Sequence, residues 1–545
     1  MPFLNISLFQ AARRGPDGER EAGCPPALTT GACVVVLSLV YLGVALALLP
    51  GFRWAINADG LSYIAVARRY LAGDWHVAVN GYWGPLLSWA LVPFLALRVE
   101  ALLAGKLLAI LIGLITIPGL NALALRFGLA GRLRMVVLVG LLPALWYFTF
   151  HKLTPDFLMV CMLVWYFVVI LDPGYRHRSR NGMFCGVWGA LAYFTKAYAF
   201  FFFLAHFTLV TVLLWVDPDH RDQRRAVLRN YVLGMAVFAL LTGGWIAALS
   251  GKYGGVTVGT AGAYTRALSA PEFRGQPPLR NRGFIAPLDA KAISMWEDPS
   301  RLPVLTWSAT ASADMMKHQT RVLIGNLADS IRIYSMYSPL SLVILVTFLV
   351  LCVRSWRRCL RPGGEALPLF TVLLYSAGYV LILVQDRYLF VCLILVALMG
   401  AQLAQRLENS GFLSGWKRTA VWLVLALSIA SYPAWQTVLR YGSRDGREAK
   451  KLSEFLGQQA RLQGSIAANR HWAKNLYVAY HLGLPYFGVQ YDLPDDEVIP
   501  ALKRLGVRYY FVWSDPGVNL TRFQSFPEVT GGKVAGLKVY DLGVL

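Results

Sequence analysis

The fold class predicted from the sequence is an α-helical polytopic membrane protein of about eleven spans, closed by a small C-terminal extracytoplasmic α/β domain. Three observations predict it. Hydrophobic residues make up 56% of the 545 and charged residues only 15%, against roughly 45–50% and about 25% in ordinary soluble domains. The mean hydropathy is +0.49, more apolar surface than one water-facing core can hide. The apolar residues fall in runs close to the roughly 20 residues with which a helix crosses hydrocarbon, all its backbone groups bonded internally. The basic residues gather in short clusters between those runs. A cytosolic enzyme and a disordered chain are thereby excluded. The net charge of +22 implies no nucleic-acid partner, because membrane topology accounts for where the charges sit.

In chain order, residues 1–28 form a polar cytoplasmic tail containing Arg13, Arg14 and Arg20. Spans are expected near 29–50, 101–125, 133–151, 155–171, 182–196, 199–216, 227–249, 337–353, 367–384, 388–404 and 418–438. The first is long and shows no small-residue cleavage site, so it reads as a retained signal anchor. The transmembrane domain, 29–438, carries two long outer loops, 51–100 and 250–336. One set of short loops holds Arg126, Arg132, Arg134, Arg176, Arg178, Arg180, Arg221, Arg224, Arg225, Arg229, Arg354, Arg357, Arg358, Arg361, Arg406, Lys417 and Arg418; the other holds Lys152, Lys196 and Arg387. The positive-inside rule places the first set and the N-terminus in the cytoplasm, and an odd number of spans leaves the C-terminus outside.

The loop 250–336 is broken by Pro271, Pro277, Pro278, Pro287, Pro299 and Pro303, and reads as a lid or binding loop without regular structure. The extracytoplasmic domain, 439–545, alternates helix-like Glu448–Leu462, strand-like Gly464–Ala468, helix-like Asp495–Leu505, and strand-like Val507–Trp513 and Leu537–Leu542. The seven cysteines lie in or beside apolar runs and outside the long polar regions, so no disulfide framework is expected. The eight histidines form neither an HExxH nor a CxxC-type pattern, leaving zinc without support.

The first outer loop holds most of the chemistry. Between Asp59 and Gly73, Tyr63, Val66, Tyr70 and Leu71 recur at helical spacing, predicting an amphipathic helix along the membrane surface. Gly73-Asp74 ends it, and a second apolar piece begins after Gly84-Pro85. An acidic residue just past the first span, an interfacial helix, a Gly-Asp-Trp turn and an aromatic-Pro-Leu segment together resemble the first extracytoplasmic loop of GT-C glycosyltransferases, family 39 type. That family includes protein O-mannosyltransferases and lipid A aminoarabinose transferases. The resemblance covers about the first 200 residues. It implies a membrane glycosyltransferase acting with inversion, with a polyprenyl-phosphate sugar as donor and Asp59 as catalytic base on the acceptor. It also implies a bacterial plasma-membrane location. One departure stands out: Trp83-Gly84-Pro85 replaces the Lys-Pro-Pro of the aminoarabinose transferases, so a phosphate-contacting Lys is missing there.

Each candidate has a plainer reading. Asp59 could simply cap the helix that follows it, and Asp74 could stabilise its turn. Asp156 follows Pro155 at the start of the fourth expected span, where the helix dipole favours a carboxylate; the second reading makes it a partner of Asp59 that orients acceptor or sugar. Lys152 is close enough in sequence to pair with it or touch phosphate. Lys196 stands in an aromatic run, either snorkelling or facing a cavity. Arg387 sits in a very short outer turn beside Asp386, which could merely neutralise it, yet its fork suits phosphate oxygens. Lys106 is a weaker third cation. Tyr63, Tyr82 and Trp83 either anchor the interface or stack on sugar or lipid. Asp217-Pro218-Asp219 is formally a DxD but lacks a surrounding nucleotide-binding fold. No complete metal-ligand set is visible; a divalent cation beside Asp59 stays open. The expected partners are the lipid-linked donor, an outer acceptor (glycan, lipid or protein) and membrane lipids. The alternative is a non-enzymatic glycolipid transporter or envelope-assembly protein on the same scaffold.

Overall fold

The computed structural model describes residues 30–271, 283–302, 306–354, 366–443, 445–490, 493–514 and 521–543. Arg13, Arg14, Arg20, Cys24, Pro277, Pro278, Pro303, Arg357, Arg358, Cys359 and Arg361 lie outside the described residues.

The helices are α1 (Thr30–Phe52), α2 (Ala58–Leu71), α3 (Trp75–Ala78), α4 (Pro85–Ala96), α5 (Ala101–Arg126), α6 (Gly131–His151), α7 (Asp156–Ile170), α8 (Ser179–Thr195), α9 (Tyr198–Val216), α10 (Arg224–Tyr253), α11 (Ala261–Leu268), α12 (Ala313–Tyr337), α13 (Ser341–Arg354), α14 (Ala366–Val380), α15 (Phe390–Asn409) and α16 (Gly415–Arg440). Each of the eleven expected spans falls on one of them. Among the described residues, seven helices are long and apolar enough to cross a membrane unaided; α7 and α14, at 15 residues, and α8, at 17, are shorter. The chain is an integral multi-pass membrane protein.

Lipid as solvent explains the distribution of side chains. Leu39 on α1, Leu240 on α10, and Leu427 and Val438 on α16 point outward and are well exposed, which costs nothing in hydrocarbon. Polar groups turn inward and pair: Tyr41 with Thr149 at 2.6 Å, Tyr334 with Ser376 at 2.6 Å, and His206 between Tyr166 and Thr371 at 2.9 Å each. Helix contact relies on small residues. A Cβ at Gly182 would stand 2.2 Å from the carbonyl oxygen of Asn230, and one at Gly186 2.2 Å from that of Gly234. This glycine-xxx-glycine face lets α8 and α10 approach backbone to backbone.

The two ends of the bundle differ. At one end, Arg126 pairs with Asp172, and Arg176 with Asp217 at 2.6 Å. Asp217 also accepts from His220 at 2.8 Å, so the DxD carboxylate serves a local turn. The opposite end carries α2–α4, α11 and the sheet domain.

One loop differs from expectation. Residues 313–337, read as part of an irregular loop, form helix α12, and the chain then bends by 112° into α13. The prolines all precede this helix, so they do not interrupt it. Its pattern is inverted: Gln319, Asn326, Ser330 and Tyr334 are buried, while Ile324, Leu327 and Ile331 face out. Gln319 donates to the carbonyl of Leu381 at 3.1 Å and Asn326 to that of Val380 at 2.9 Å, supplying acceptors at the frayed end of α14 with donors.

After α16 come α17 (Asp445–Gln458), β1 (Ile466–Ala468), α18 (Trp472–Leu482), β2 (Tyr486–Val489), α19 (Asp495–Arg504), β3 (Tyr509–Trp513) and β4 (Leu537–Asp541). The sheet order is β2-β1-β3-β4; β1 is parallel to β2 and β3, and β4 is antiparallel to β3. Alternation sorts its faces. Ile466, Ala468, Tyr509, Phe511 and Trp513 join the core that runs into the bundle, while Ala467, Tyr510, Val512 and Tyr540 cluster with Val498 and Leu502 of α19. α18 and β2 were not anticipated, although Gly483, in the left-handed conformation, ends α18 and Pro485 precedes β2. The domain sits directly on the segment before α2: a Cβ at Gly446 would be 1.7 Å from the Trp54 carbonyl oxygen, and the Lys450 ammonium lies 3.6 Å from the Trp54 ring centre.

Gly186→Val should force α8 and α10 apart and lower stability by about 1–3 kcal/mol or more, read as a lower Tm in detergent. Gly243→Ala on α10, with open space around it, should leave Tm unchanged or slightly raised.

Candidate functional site

Helix α2 begins at Ala58, with Asn57 in extended conformation (φ −148°, ψ 152°) as its preceding residue. The Asn57 side chain does not cap the helix; it accepts from the Leu153 N–H at 2.9 Å and donates to the Leu153 carbonyl at 3.3 Å. This two-point contact ties the start of α2 to the loop between α6 and α7. Gly60 permits it, since a Cβ there would stand 2.9 Å from Leu153 Cβ.

Asp59 is therefore not the cap, and its carboxylate is committed elsewhere. Oδ2 accepts from Arg387 Nη1 at 2.8 Å. The same guanidinium reaches Asp156, with Nε 3.7 Å from Oδ2, and Asp156 Oδ1 accepts from Lys196 Nζ at 2.8 Å. Four groups separated by up to 328 residues thus alternate in sign: Asp59, Arg387, Asp156, Lys196. Their elements explain the meeting. Asp59 and Asp156 open α2 and α7, where helix N-termini favour negative charge, while Lys196 and Arg387 occupy the short breaks between α8 and α9 and between α14 and α15.

The Asp156 side chain is only 2% exposed, and its Oδ2 makes no hydrogen bond. The Lys196 ammonium is 3.5 Å from the Tyr388 ring centre and 5.2 Å from that of Tyr379, a favourable cation–π enclosure. Lys152 is exposed and, among the described residues, makes no ion pair. Partial desolvation of the ammonium by its surroundings, then repulsion from Arg387, push its pKa below the usual lysine range. The quartet itself is formally neutral, so Lys152 is the nearby cation left over for an added anion.

Other candidates divide. Tyr63 and Trp83 pack edge to face at 5.1 Å, Tyr82 touches Trp83 at 4.4 Å, and Trp296 closes on both at 5.7 Å. Asp59 raises the pKa of Tyr63 and Tyr82 beyond the larger effect of burial, placing these rings beside the quartet. Asp74 belongs elsewhere: it accepts from Arg69 at 3.1 Å, in a cluster with Asp289 at 2.7 Å and Glu297 at 3.8 Å from the same guanidinium. Its expected substrate contact is replaced by a tie between the two outer-loop regions. Lys106 is buried in α5 with no ion pair among the described residues.

The departure at Trp83-Gly84-Pro85 acquires a physical reason. A Cβ at Gly84 would fall 2.3 Å from the Thr195 carbonyl oxygen and 2.7 Å from that of Phe194. α4 thus starts against the backbone that presents Lys196, an approach only glycine allows. Sequence reasoning missed Tyr379 and Tyr388, weighed Asn57 only as a helix cap, and left open a neutralising role for Asp386. The Asp386 carboxylate does not neutralise the guanidinium beside it; it accepts the backbone N–H of Arg387 at 2.7 Å and the Tyr147 hydroxyl at 3.1 Å. The signal available for Tyr388 was its place next to Arg387 in Gln385-Asp386-Arg387-Tyr388.

No protein-family model matches the chain, and no curated protein matches it by sequence. Solved structures do. ArnT from Cupriavidus metallidurans bound to undecaprenyl phosphate superposes with a TM-score of 0.53 at 15% identity, covering 92% of this chain and 97% of that one. The apo state of the same protein gives 0.43 at 14% identity over 93% and 98%. The arabinofuranosyltransferase AftD from Mycobacteria gives 0.46 at 14% identity over 94% of this chain and 40% of that one. The first of these shows that the chain shares the fold of that ArnT structure.

Two outcomes follow from the charges. Asp156→Ala strands Lys196 and Arg387 and should cost about 3–5 kcal/mol, whereas Asp156→Leu with Lys196→Met should recover much of that loss, both read as Tm. In the Arg69 cluster, burial pushes the Glu297 carboxyl up to about 7, against opposing pulls from the Ile293 N–H and Arg69. A raised folded-state value means that the native state holds the proton more tightly, so stability falls as pH rises from the unfolded value through about 7. Glu297→Gln should flatten the Tm-versus-pH curve between pH 5 and 8.

Proposed function

We propose that this chain is a membrane glycosyltransferase that moves a sugar from a polyprenyl phosphate to an acceptor on the side of the membrane bearing the sheet domain. The observation that carries this reading is the alternating chain Asp59–Arg387–Asp156–Lys196 at that end of the bundle. The fold shared with an ArnT structure bound to undecaprenyl phosphate supports it. The arginine-rich end faces the cytoplasm by the positive-inside rule, so the reacting end lies outside, in the plasma membrane of a bacterium. Nucleotide sugars are absent there, and a lipid-carried donor supplies the activated sugar.

In the proposed reaction, the acceptor hydroxyl oxygen forms a bond to the anomeric carbon as the bond from that carbon to the phosphate oxygen breaks. The hydroxyl proton passes to Asp59, and the electron pair of the broken bond leaves on the phosphate. One displacement inverts the anomeric centre. Arg387, with Lys196 and Lys152, offers preorganised positive charge to the leaving phosphate, in the manner of an oxyanion hole. Because Arg387 bonds Asp59 in the resting site, drawing the guanidinium toward phosphate also frees the carboxylate to accept a proton. Asp156 keeps Lys196 and Arg387 from repelling one another. Tyr82, the partly exposed ring of the three, offers a stacking face for the sugar, and the buried Tyr63 and Trp83 back it. Among the described residues, no three His, Cys, Asp or Glu side chains converge as a metal site, and both carboxylates of the quartet already face cations. The charge stabilisation is therefore assigned to Arg and Lys.

Membranes containing the protein, given a panel of radiolabelled polyprenyl-phosphate sugars, should transfer label with at least one donor. Asp59→Asn should reduce that transfer by about 10²–10⁴-fold, the usual range for a general base, in a protein that still folds. Full transfer by the variant removes Asp59 as base. No transfer by the wild type with any donor favours a non-enzymatic glycolipid transporter instead.

A further inference from the structure

Arg387 is useful only if its turn is held still, and the contacts of that turn point to groups that hold it. The turn Asp386–Leu389 is held at three points from two helices, α6 and α12. Asp386 Oδ1 accepts the Arg387 N–H at 2.7 Å, and its Oδ2 accepts the Tyr147 hydroxyl of α6 at 3.1 Å. The Asp386 carbonyl accepts the hydroxyl of Tyr337, at the end of α12. The third grip comes through His151, the last residue of α6. Its side chain is 3% exposed, with Nε2 3.5 Å from Asp386 Oδ2.

The protonation of that ring follows from its other neighbour. His151 Nδ1 meets Nη1 of Arg440, at the end of α16. A guanidinium can only donate, so Nδ1 is the accepting nitrogen and the neutral ring carries its proton on Nε2. That N–H is buried and makes no hydrogen bond in the resting structure; the carboxylate facing it is that of Asp386, 3.5 Å away. The relay Arg440–His151–Asp386 ends on the backbone of Arg387. His151 also directly precedes the loop that carries Lys152 and Asp156. One imidazole thus holds together the turn bearing the guanidinium and the loop bearing one of its two carboxylates.

We propose that His151 and Asp386 are positioning residues that set the Arg387 guanidinium between Asp59 and Asp156, in register for a lipid phosphate. This rests on the reading of Arg387 as the phosphate cation. A cluster that merely held helix ends together would affect stability, not phosphate affinity through Arg387.

The test uses the full chain in nanodiscs with undecaprenyl phosphate as probe, affinity read by native mass spectrometry and folding by Tm. Asp386→Asn and His151→Phe should each weaken binding about ten-fold, the scale of a lost hydrogen bond to a charged group. His151→Gln, whose amide can both donate and accept, should restore affinity to within about three-fold of wild type. Tyr147→Phe, which deletes one hydroxyl and is the least disruptive change, should weaken binding by a smaller factor even where the others lower Tm. Asp386→Asn should add little in the background of Arg387→Gln, because both act through one guanidinium. The proposal is overturned if Asp386→Asn, His151→Phe and Tyr147→Phe all bind like wild type. It is also overturned if Asp386→Asn weakens the Arg387→Gln background as fully as it weakens wild type. A wild type that does not bind the probe overturns the lipid-phosphate reading itself, and this proposal with it.

Discussion

A single guanidinium shared between two carboxylates organises the end of the bundle that bears the sheet domain. Arg387 bonds Asp59 at 2.8 Å and lies 3.7 Å from Asp156, and those two residues open α2 and α7. Taking such charges out of water is expensive unless each finds a partner. The partners are supplied by breaks in the bundle, not by helix interiors. Lys196 follows α8, Arg387 lies in the break after α14 and Asp156 begins α7, so each break contributes one charge.

The scaffold makes such a site affordable by making everything around it close and stiff. Glycine contacts let α8 meet α10 and let α4 start against the carbonyls beside Lys196. The sheet domain rests on the Trp54 backbone, four residues before Ala58, so the start of α2 is held from above as well as from the Asn57–Leu153 contact. Tyr388 and Tyr379 wall in Lys196, and Trp296 covers Tyr82 and Trp83. An anion entering this region meets a neutral quartet with Lys152 and Arg440 nearby, neither in an ion pair among the described residues.

Much of the fold was legible because membrane physics writes long messages. A run of about 20 apolar residues has few alternatives, and all eleven such runs became helices. β-rich runs likewise pointed to β1, β3 and β4. What stayed hidden was short or inverted. Helix α12 hides polar residues and exposes apolar ones, the reverse of the pattern that marks a helix in water, and a proline-rich tract precedes it. The charged candidates Asp59, Asp156, Lys196 and Arg387 could be chosen individually from their positions at span ends. Their partnership could not, because pairs separated by 40 and 328 residues leave no periodicity. Asp74 and Asp386 show the limit plainly: each sits beside a turn and an arginine, and only geometry reveals that one ties Arg69 and the other grips the backbone of Arg387.

The account turns on where an anionic lipid headgroup comes to rest. An experimental structure of the full chain with undecaprenyl phosphate would test it most directly. The account predicts phosphate oxygens within hydrogen-bond reach of the Arg387 guanidinium, with Asp59 released from it and turned toward open space. A headgroup bound at another part of the bundle, with the Asp59–Arg387 pair intact, would contradict it.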